Sequence, residues 1–215
     1  MTLLLRMLCL ALLPAMGIVL GGCEGAGLLA EAIAGDQEIE VKAQYQGLQG
    51  QRVAVLVDAD QSMLTRNPLI QFEICTVISR KIAENVEGVT LVSPRQVVDY
   101  QNRNSYWTTA SYSKLASELK VTRLVLVELT EYSMHEPGNR YVLKGTIGAN
   151  VAVAESTSGK PNELMYDTVV SATYPENQKV GLINRKEKDI RFATLDLFSN
   201  RAAGKFYDHT IKKEN

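Results

Sequence analysis

Six residues carry groups able to hold a divalent cation or move a proton, and they fall in three short stretches. Asp58 and Asp60 stand in RVAVLVDAD (52–60), Ser93 opens SPRQ, and Glu131, His135 and Glu136 lie in TEYSMHEP (130–137). Carboxylates with one imidazole suit a hard cation or acid–base work, which makes Asp58, Asp60 and His135 the candidate metal ligands. The same residue types have a simpler use. Asp and Ser favour helix entries and turns because their side chains satisfy free backbone N–H groups. A further stretch, NRNSYWTTASY (102–112), holds the sole tryptophan, Trp107, with Tyr106 and Tyr112. Aromatics of this kind are enriched at binding hot spots, and they also close the edges of cores. The chain has no GxGxxG after a strand, no phosphate loop, no GxSxG elbow, no CxxC and no HExxH. Two histidines leave little material for a multi-histidine metal site. No catalytic set and no cofactor are expected.

The elements that must position these residues follow from hydrophobic period. EIEVKAQY (38–45) alternates and suits a strand or an extended arm. Val53–Val57 is a continuous apolar run, as in a strand buried on both faces. Asn67-Pro68 reads as the cap and first position of a helix running to about Glu87, with Phe72, Cys75, Ile78, Ile82 and Val86 on one face. VTLV (89–92) is a short strand. Ser93, Pro94 and Gln96 suit a capping box opening the next helix. YSKLASELK (112–120) is a helix, RLVLVELTEY (123–132) a strand, and HEPGN (135–139) a turn. YVLKGTIGANVAVAE (141–155) and LMYDTVVSATY (164–174) pair across STSGKPN. A last helix, about 187–207, places Phe192, Leu195, Ser199, Ala202 and Phe206 on one face. Ile190, Ala193 and Leu197 fall roughly opposite, to cover another segment such as EIEVKAQY or to meet a partner.

The order β-α-β-α-α-β-β-β-α predicts an α/β domain, α+β mixed, with one five-stranded mixed sheet over residues 38–210 and a polar tail at 211–215. The first three strands should be parallel with right-handed crossovers and the last two antiparallel. Ligands of parallel strands sit beyond their carboxyl ends, where Asp58, Asp60, Ser93, Glu131, His135 and Glu136 should all project.

Before this domain stands MTLLLRMLCLALLPAMGIVL, with Arg6 and then the apolar run Met7–Leu20. The run is shorter than the ~20 residues of a membrane-spanning helix and reads as the core of a signal peptide, 1–22. Leu20-Gly21-Gly22-Cys23 comes directly after it and resembles the lipobox of bacterial lipoproteins. That resemblance implies cleavage before Cys23 and a mature protein beginning there with acyl chains, on a tether at 23–37. Ordinary secretion, with cleavage after Ala32-Ile33-Ala34, is the alternative. Glu24 after the cysteine resembles the outer-membrane sorting class. Of three cysteines, Cys9 leaves with the signal and Cys75 lies in an apolar helical pattern, so no internal disulfide is expected. Twenty-three basic against 24 acidic residues predict no attraction to nucleic acid.

RVAVLVDAD, GVTLVSPRQVVDY, LASELKVTRLVLVELTEY and VAVAESTSGK together resemble a family of exported α/β domains. It includes the N-terminal domain of TolB, the curli-secretion lipoprotein and the lipoprotein activators of penicillin-binding proteins. The resemblance covers most of residues 52–205 and includes the hairpin turn Thr157-Ser158-Gly159-Lys160. Glu128 stands where the family often has Gly. The whole chain also resembles lipoproteins of planctomycete type, a resemblance that brings no activity with it. The family resemblance implies a role in envelope assembly or transport; with the lipobox and the missing catalytic motifs, this gives a non-enzymatic, lipid-anchored envelope protein that faces the periplasm and binds another envelope protein. Its contact surface would be Tyr106, Trp107 and Tyr112. The alternative is a small-ligand or metal-binding domain, enzymatic or not, using the carboxyl edge.

Overall fold

The computed structural model describes residues 38–156, 162–176, 178 and 181–212. Val53–Val57 lie in strand β2 (Arg52–Asp58) and are all 0% exposed. A side chain that leaves water so completely stabilises the fold by about 1.5–3 kcal/mol, which explains why β2 becomes the inner strand. β3 (Thr90–Leu91) and β4 (Arg123–Glu136) flank β2 on either side, both parallel to it. β5 (Asn139–Glu155) and β6 (Leu164–Tyr174) are antiparallel, giving the order β3-β2-β4-β5-β6. This is the expected five-stranded mixed sheet.

Because β3 and β4 leave β2 in opposite directions, right-handed crossovers put their helices on opposite faces. One face carries α2 (Ile70–Asn85) and α5 (Glu187–Ala203), which also pack on each other. α3 (Pro94–Arg103) and α4 (Tyr112–Leu119) lie on the other, with a 3-10 turn at Trp107–Thr109 between them. α5 comes very close to the sheet: a Cβ on Gly145 would stand 1.8 Å from Thr194 Oγ1, so only glycine fits there. A separate two-stranded sheet pairs β1 (Glu38–Val41) with β7 (His209–Lys212). By its contacts the chain divides into Lys42–His209, which is the α/β domain, and a unit of which Glu38–Val41 and Thr210–Lys212 are described.

Several local expectations are corrected. Asn67-Pro68 does not open the long helix; it separates two helices. Asp60 accepts a hydrogen bond from Met63 N at 2.8 Å and caps a short helix, α1 (Gln61–Arg66). Asn67, at φ −139° and ψ 82°, ends α1, because the residue before proline is pushed out of the helical region. α2 then starts after Leu69 with no side-chain cap. Its buried face is Ile70, Ile74, Cys75, Ile78 and Ile82, while Phe72 is 41% exposed. Pro94 does start α3, but Ser93 makes no side-chain cap, so the capping box is not formed. β4 runs on to Glu136, and Pro137-Gly138 alone makes the turn, with Gly138 at φ +78°. The last helix stops at Ala203, and β7 is a strand where the sequence pattern predicts none. Thr157-Ser158-Gly159-Lys160 lies outside the described residues, as do Leu20, Gly21, Gly22 and Cys23.

Candidate functional site

At the carboxyl edge of β2 the candidate ligands go separate ways. Asp58 lies in parallel register with Glu128 of β4. Burial pushes its carboxyl above the ordinary aspartate range; the Ala59 N–H opposes this and the Glu128 charge adds to it. Asp60 is committed to α1: hydrogen bonds from Ser62 and from the Met63 N–H hold its carboxyl below the ordinary range. His135 lies within β4 and pairs with Leu143 of β5. At about 3.3 Å per strand residue, the stretch from Glu128 carries the imidazole about 20 Å away from Asp58. There its Nε2 stands 3.9 Å from Glu187 Oε2. Glu131 is exposed and Glu136 closes the hairpin opposite Asn139, while Ser93 is exposed at the start of α3. Among the described residues no three His, Cys, Asp or Glu side chains are gathered closely enough for a metal. The cause is the length of β4: Glu131, His135 and Glu136 do not lie beyond the strand, they belong to it.

Two glutamines that hydrophobic pattern alone does not single out define the edge better. Gln71 Nε2 on α2 and Gln101 Nε2 on α3 both donate to Val57 O, each at 2.9 Å. One carbonyl at the end of β2 thus joins helices from both faces of the sheet. Gln101 is 4% exposed and its Oε1 has no partner among the described residues. The only sequence signal was a glutamine among the inward positions of a helix, and glutamine there is ordinarily read as solvated.

The aromatic stretch is the more open site. Tyr106 is 82% exposed, whereas Trp107 and Tyr112 are half-buried and pack against the core. Tyr112 N donates to Asn162 Oδ1 at 3.3 Å. Beside Tyr106 lies a groove lined by Tyr100, Arg103, Trp107, Lys114 and Glu118 among others. Its floor is ordered by polar contacts: Tyr100 donates to Glu118, and Lys114 Nζ lies 3.9 Å from Glu118 Oε1. Burial first, then the Glu118 hydrogen bond and charge, push the Tyr100 phenol up to about 12, so it remains a donor at any physiological pH. The groove therefore offers one exposed ring, two cations and a carboxylate already engaged. Of the three aromatics expected to form a contact surface, Tyr106 presents its ring, Trp107 lines the groove beside it, and Tyr112 packs against the core and does not line the groove.

On α5, Ile190 is 2% exposed and belongs to the core face, while Phe192 is 53% exposed with Lys188 and Arg191 over its ring. Cys75 is 0% exposed and burial pushes its thiol up to about 12, which leaves it unreactive.

No protein-family model matches the chain, and no curated protein matches it. Solved structures with a related arrangement do exist. The PelC dodecamer from Paraburkholderia phytofirmans aligns over 77% of this chain and 97% of that one, at 6% identity and a TM-score of 0.44. Lipoprotein GNA1162 from Neisseria meningitidis aligns over 66% of this chain and 91% of that one, at 16% identity and a TM-score of 0.38. Hypothetical protein CT253 from Chlamydia trachomatis aligns over 57% and 70%, at 19% identity and a TM-score of 0.39. At scores and identities this low the likenesses assign no family, activity or assembly to this chain. Among the described residues no helix is long and apolar enough to cross a membrane.

The two aspartates of the edge should respond to pH with opposite sign. Asp58 has a raised folded pKa, so its ionised form is penalised in the fold at neutral pH and the penalty is relieved as pH falls. Asp58→Asn should therefore raise Tm at pH 7, with the gain vanishing towards ~pH 3, below the ordinary range of the group. Asp60 has a lowered folded pKa, so its contribution is present above the unfolded value and is lost as pH falls through the folded one. Asp60→Ala should lower Tm at pH 7 and converge on the parent in acid. Thermal melts of both variants at the two pH values check this; shifts of the same sign would refute the assignment of burial to one and capping to the other.

Proposed function

We propose that the chain is a lipid-anchored cell-envelope protein that acts by binding, as a non-catalytic scaffold component of envelope assembly or transport. One observation carries this reading: Leu20-Gly21-Gly22-Cys23 stands directly after the apolar run Met7–Leu20. Acylation at Cys23 would supply a durable anchor, because two or more acyl chains hold a bilayer where one holds marginally, at about 0.8 kcal/mol per buried methylene. Glu24 favours the outer membrane, with the domain facing the periplasm. An anchored domain meets membrane partners at high local concentration, so weak contacts suffice. The groove beside Tyr106 supports the reading as the contact surface, since it combines an exposed ring with fixed cations. The partner is another envelope protein.

Labelled palmitate should enter the parent chain and not Cys23→Ala, which should leave the membrane fraction. In the anchored parent, a photocrosslinking residue at Tyr106 should give one discrete adduct, lost when Arg103 and Lys114 are both changed to Ala. Equal palmitate labelling of parent and Cys23→Ala would end the anchor reading, and adducts indifferent to the groove variants would end the surface reading.

A further inference from the structure

β6 is an edge strand. Its residues 164–174 pair with β5 on one side, and among the described residues no strand lies on the other. A long edge with unpaired N–H and C=O groups is a template for another strand. Proteins that must avoid such pairing shorten the edge, or place lysine, proline or a bulge on it. LMYDTVVSATY contains no lysine, arginine or proline, and Asp167 is its one charged residue. From Gly145↔Tyr174 to Val153↔Tyr166 it pairs with β5 without a register shift. Alternation gives the strand two different faces. Val170 and Ala172 are buried beneath α5, whereas Met165 is 47% and Val169 72% exposed on the opposite face. Ser171 O accepts a hydrogen bond from Arg201 Nη1 at 2.9 Å, so its carbonyl points away from β5 to the outer edge, where Arg201 holds it. The same alternation turns the backbone groups of Asp167 and Val169 to that edge, while the one register shift of the pair falls at Met165, between Val153↔Tyr166 and Ala154↔Leu164, at the start of the strand.

We infer that β6 pairs antiparallel with β6 of a second copy, about a two-fold axis at Val169, joining two five-stranded sheets into one. The sequence of the strand selects both the occupant and the register. With the axis at Val169, the most exposed aliphatic side chain of the strand meets its own copy. Asp167 then lies opposite Ser171 of the second chain, a carboxylate facing a hydroxyl donor, and Met165 opposite Thr173. On the inner face Thr168 meets Val170, and Tyr166 meets Ala172. An axis at Asp167 would set two carboxylates against each other, which destabilises a cross-strand pair. An axis at Ser171 would bring Pro175, which has no N–H, opposite Asp167. Val169 is therefore the register in which no like charges face each other and every edge group finds a donor or an acceptor. The interface is isologous and closed, so it ends at a dimer. Arg201 would yield Ser171 O to the Asp167 N–H of the second copy and keep its contact with Glu176.

The test uses the full chain purified in mild detergent. Val169→Cys should form a disulfide-linked dimer under mild oxidation, since residues on a strand-pair axis fall within the ~4.4–6.8 Å Cα separation a disulfide needs. Asp167→Cys alone should crosslink at least tenfold more slowly, while a mixture of Asp167→Cys and Ser171→Cys chains should crosslink readily. Val169→Lys, at an exposed site, should leave Tm unchanged and weaken dimerisation at least tenfold by sedimentation velocity. Crosslinking of Asp167→Cys as fast as Val169→Cys would indicate random collision and overturn the register. A parent chain that stays monomeric, or a dimer indifferent to Val169→Lys, would overturn the interface.

Discussion

Arg123→Ala should lower the stability of the α/β domain by about 3–5 kcal/mol, the usual loss when one member of a buried ion pair is removed. Arg123 begins β4 and faces Glu155 at the end of β5, with Nη2 3.1 Å from Glu155 Oε2. Their side chains are only 12% and 18% exposed, so water screens the charge left behind only weakly. The other guanidinium donors are also used: Nε donates to Gly47 O and Nη1 to Thr122 O. Glu155 Oε1 in turn accepts from the Tyr45 hydroxyl at 2.6 Å. Burial first, then the Glu155 hydrogen bond and charge, push the Tyr45 phenol up to about 12, so it stays a donor. Its ring packs near Tyr166 and edge-on to Phe206. One arginine thus ties the segment before β2, the start of β4 and the end of β5 together. With total stabilities of about 5–15 kcal/mol for domains of this kind, the loss should be visible as a large drop in urea midpoint at unchanged slope. Replacing the pair together, Arg123→Met with Glu155→Leu and Tyr45→Phe, should recover most of it, because no buried charge is then orphaned. A loss below ~1 kcal/mol for Arg123→Ala would mean the pair behaves as a screened surface bridge.

Phe198→Ala should cost about 3–5 kcal/mol, the range for truncating a fully buried phenylalanine and leaving a cavity. Phe198 is 0% exposed in the middle of α5, within the one contiguous core of the domain. Phe192 stands on the same helix at 53% exposure, and its ring contacts are with Lys188 and Arg191. Phe192→Ala should therefore stay within about 0.5–1 kcal/mol. Paired urea titrations of the two variants give the comparison directly. Equal losses would mean that α5 is rotated about its axis relative to the arrangement described.

That pair of phenylalanines shows where pattern reading stops. α5 carries apolar residues on more than one side: Ile190, Phe192, Ala193, Leu195, Leu197 and Phe198 all fall between its fourth and twelfth residues. The buried face takes in the predicted Leu195, Ser199 and Ala202 together with Ile190, Thr194 and Phe198, and leaves only Phe192 of the predicted stripe outside. The close approach of Thr194 to Gly145 centres that face on the sheet, and it joins residues of different elements far apart in the chain. On α2, likewise, Phe72 is left outside the buried face and Ile74 lies within it. The candidate edge site misled for a related reason. Glu131, His135 and Glu136 have the composition of a loop beyond a strand end, since Asp, Glu and His are poor strand formers. Pairing with β5 nevertheless carries β4 on to Glu136, because a hairpin partner supplies hydrogen bonds that local propensity does not foresee.

The succession of the five sheet strands along the chain and their relative directions were determined by the sequence alone. A continuous apolar run can be buried only as an inner strand, connections long enough for a helix make parallel neighbours, and a short turn makes antiparallel ones. These are properties of neighbouring residues and of chain length. The lipobox resemblance at Cys23 is of the same local kind. Tertiary structure decided that Phe192 is left outside the buried face of α5, how far β4 continues, and that Trp107 supports the groove while Tyr106 lines its opening. Each of these depends on groups brought together from distant parts of the chain, where burial and hydrogen-bond satisfaction outweigh the small differences in local preference.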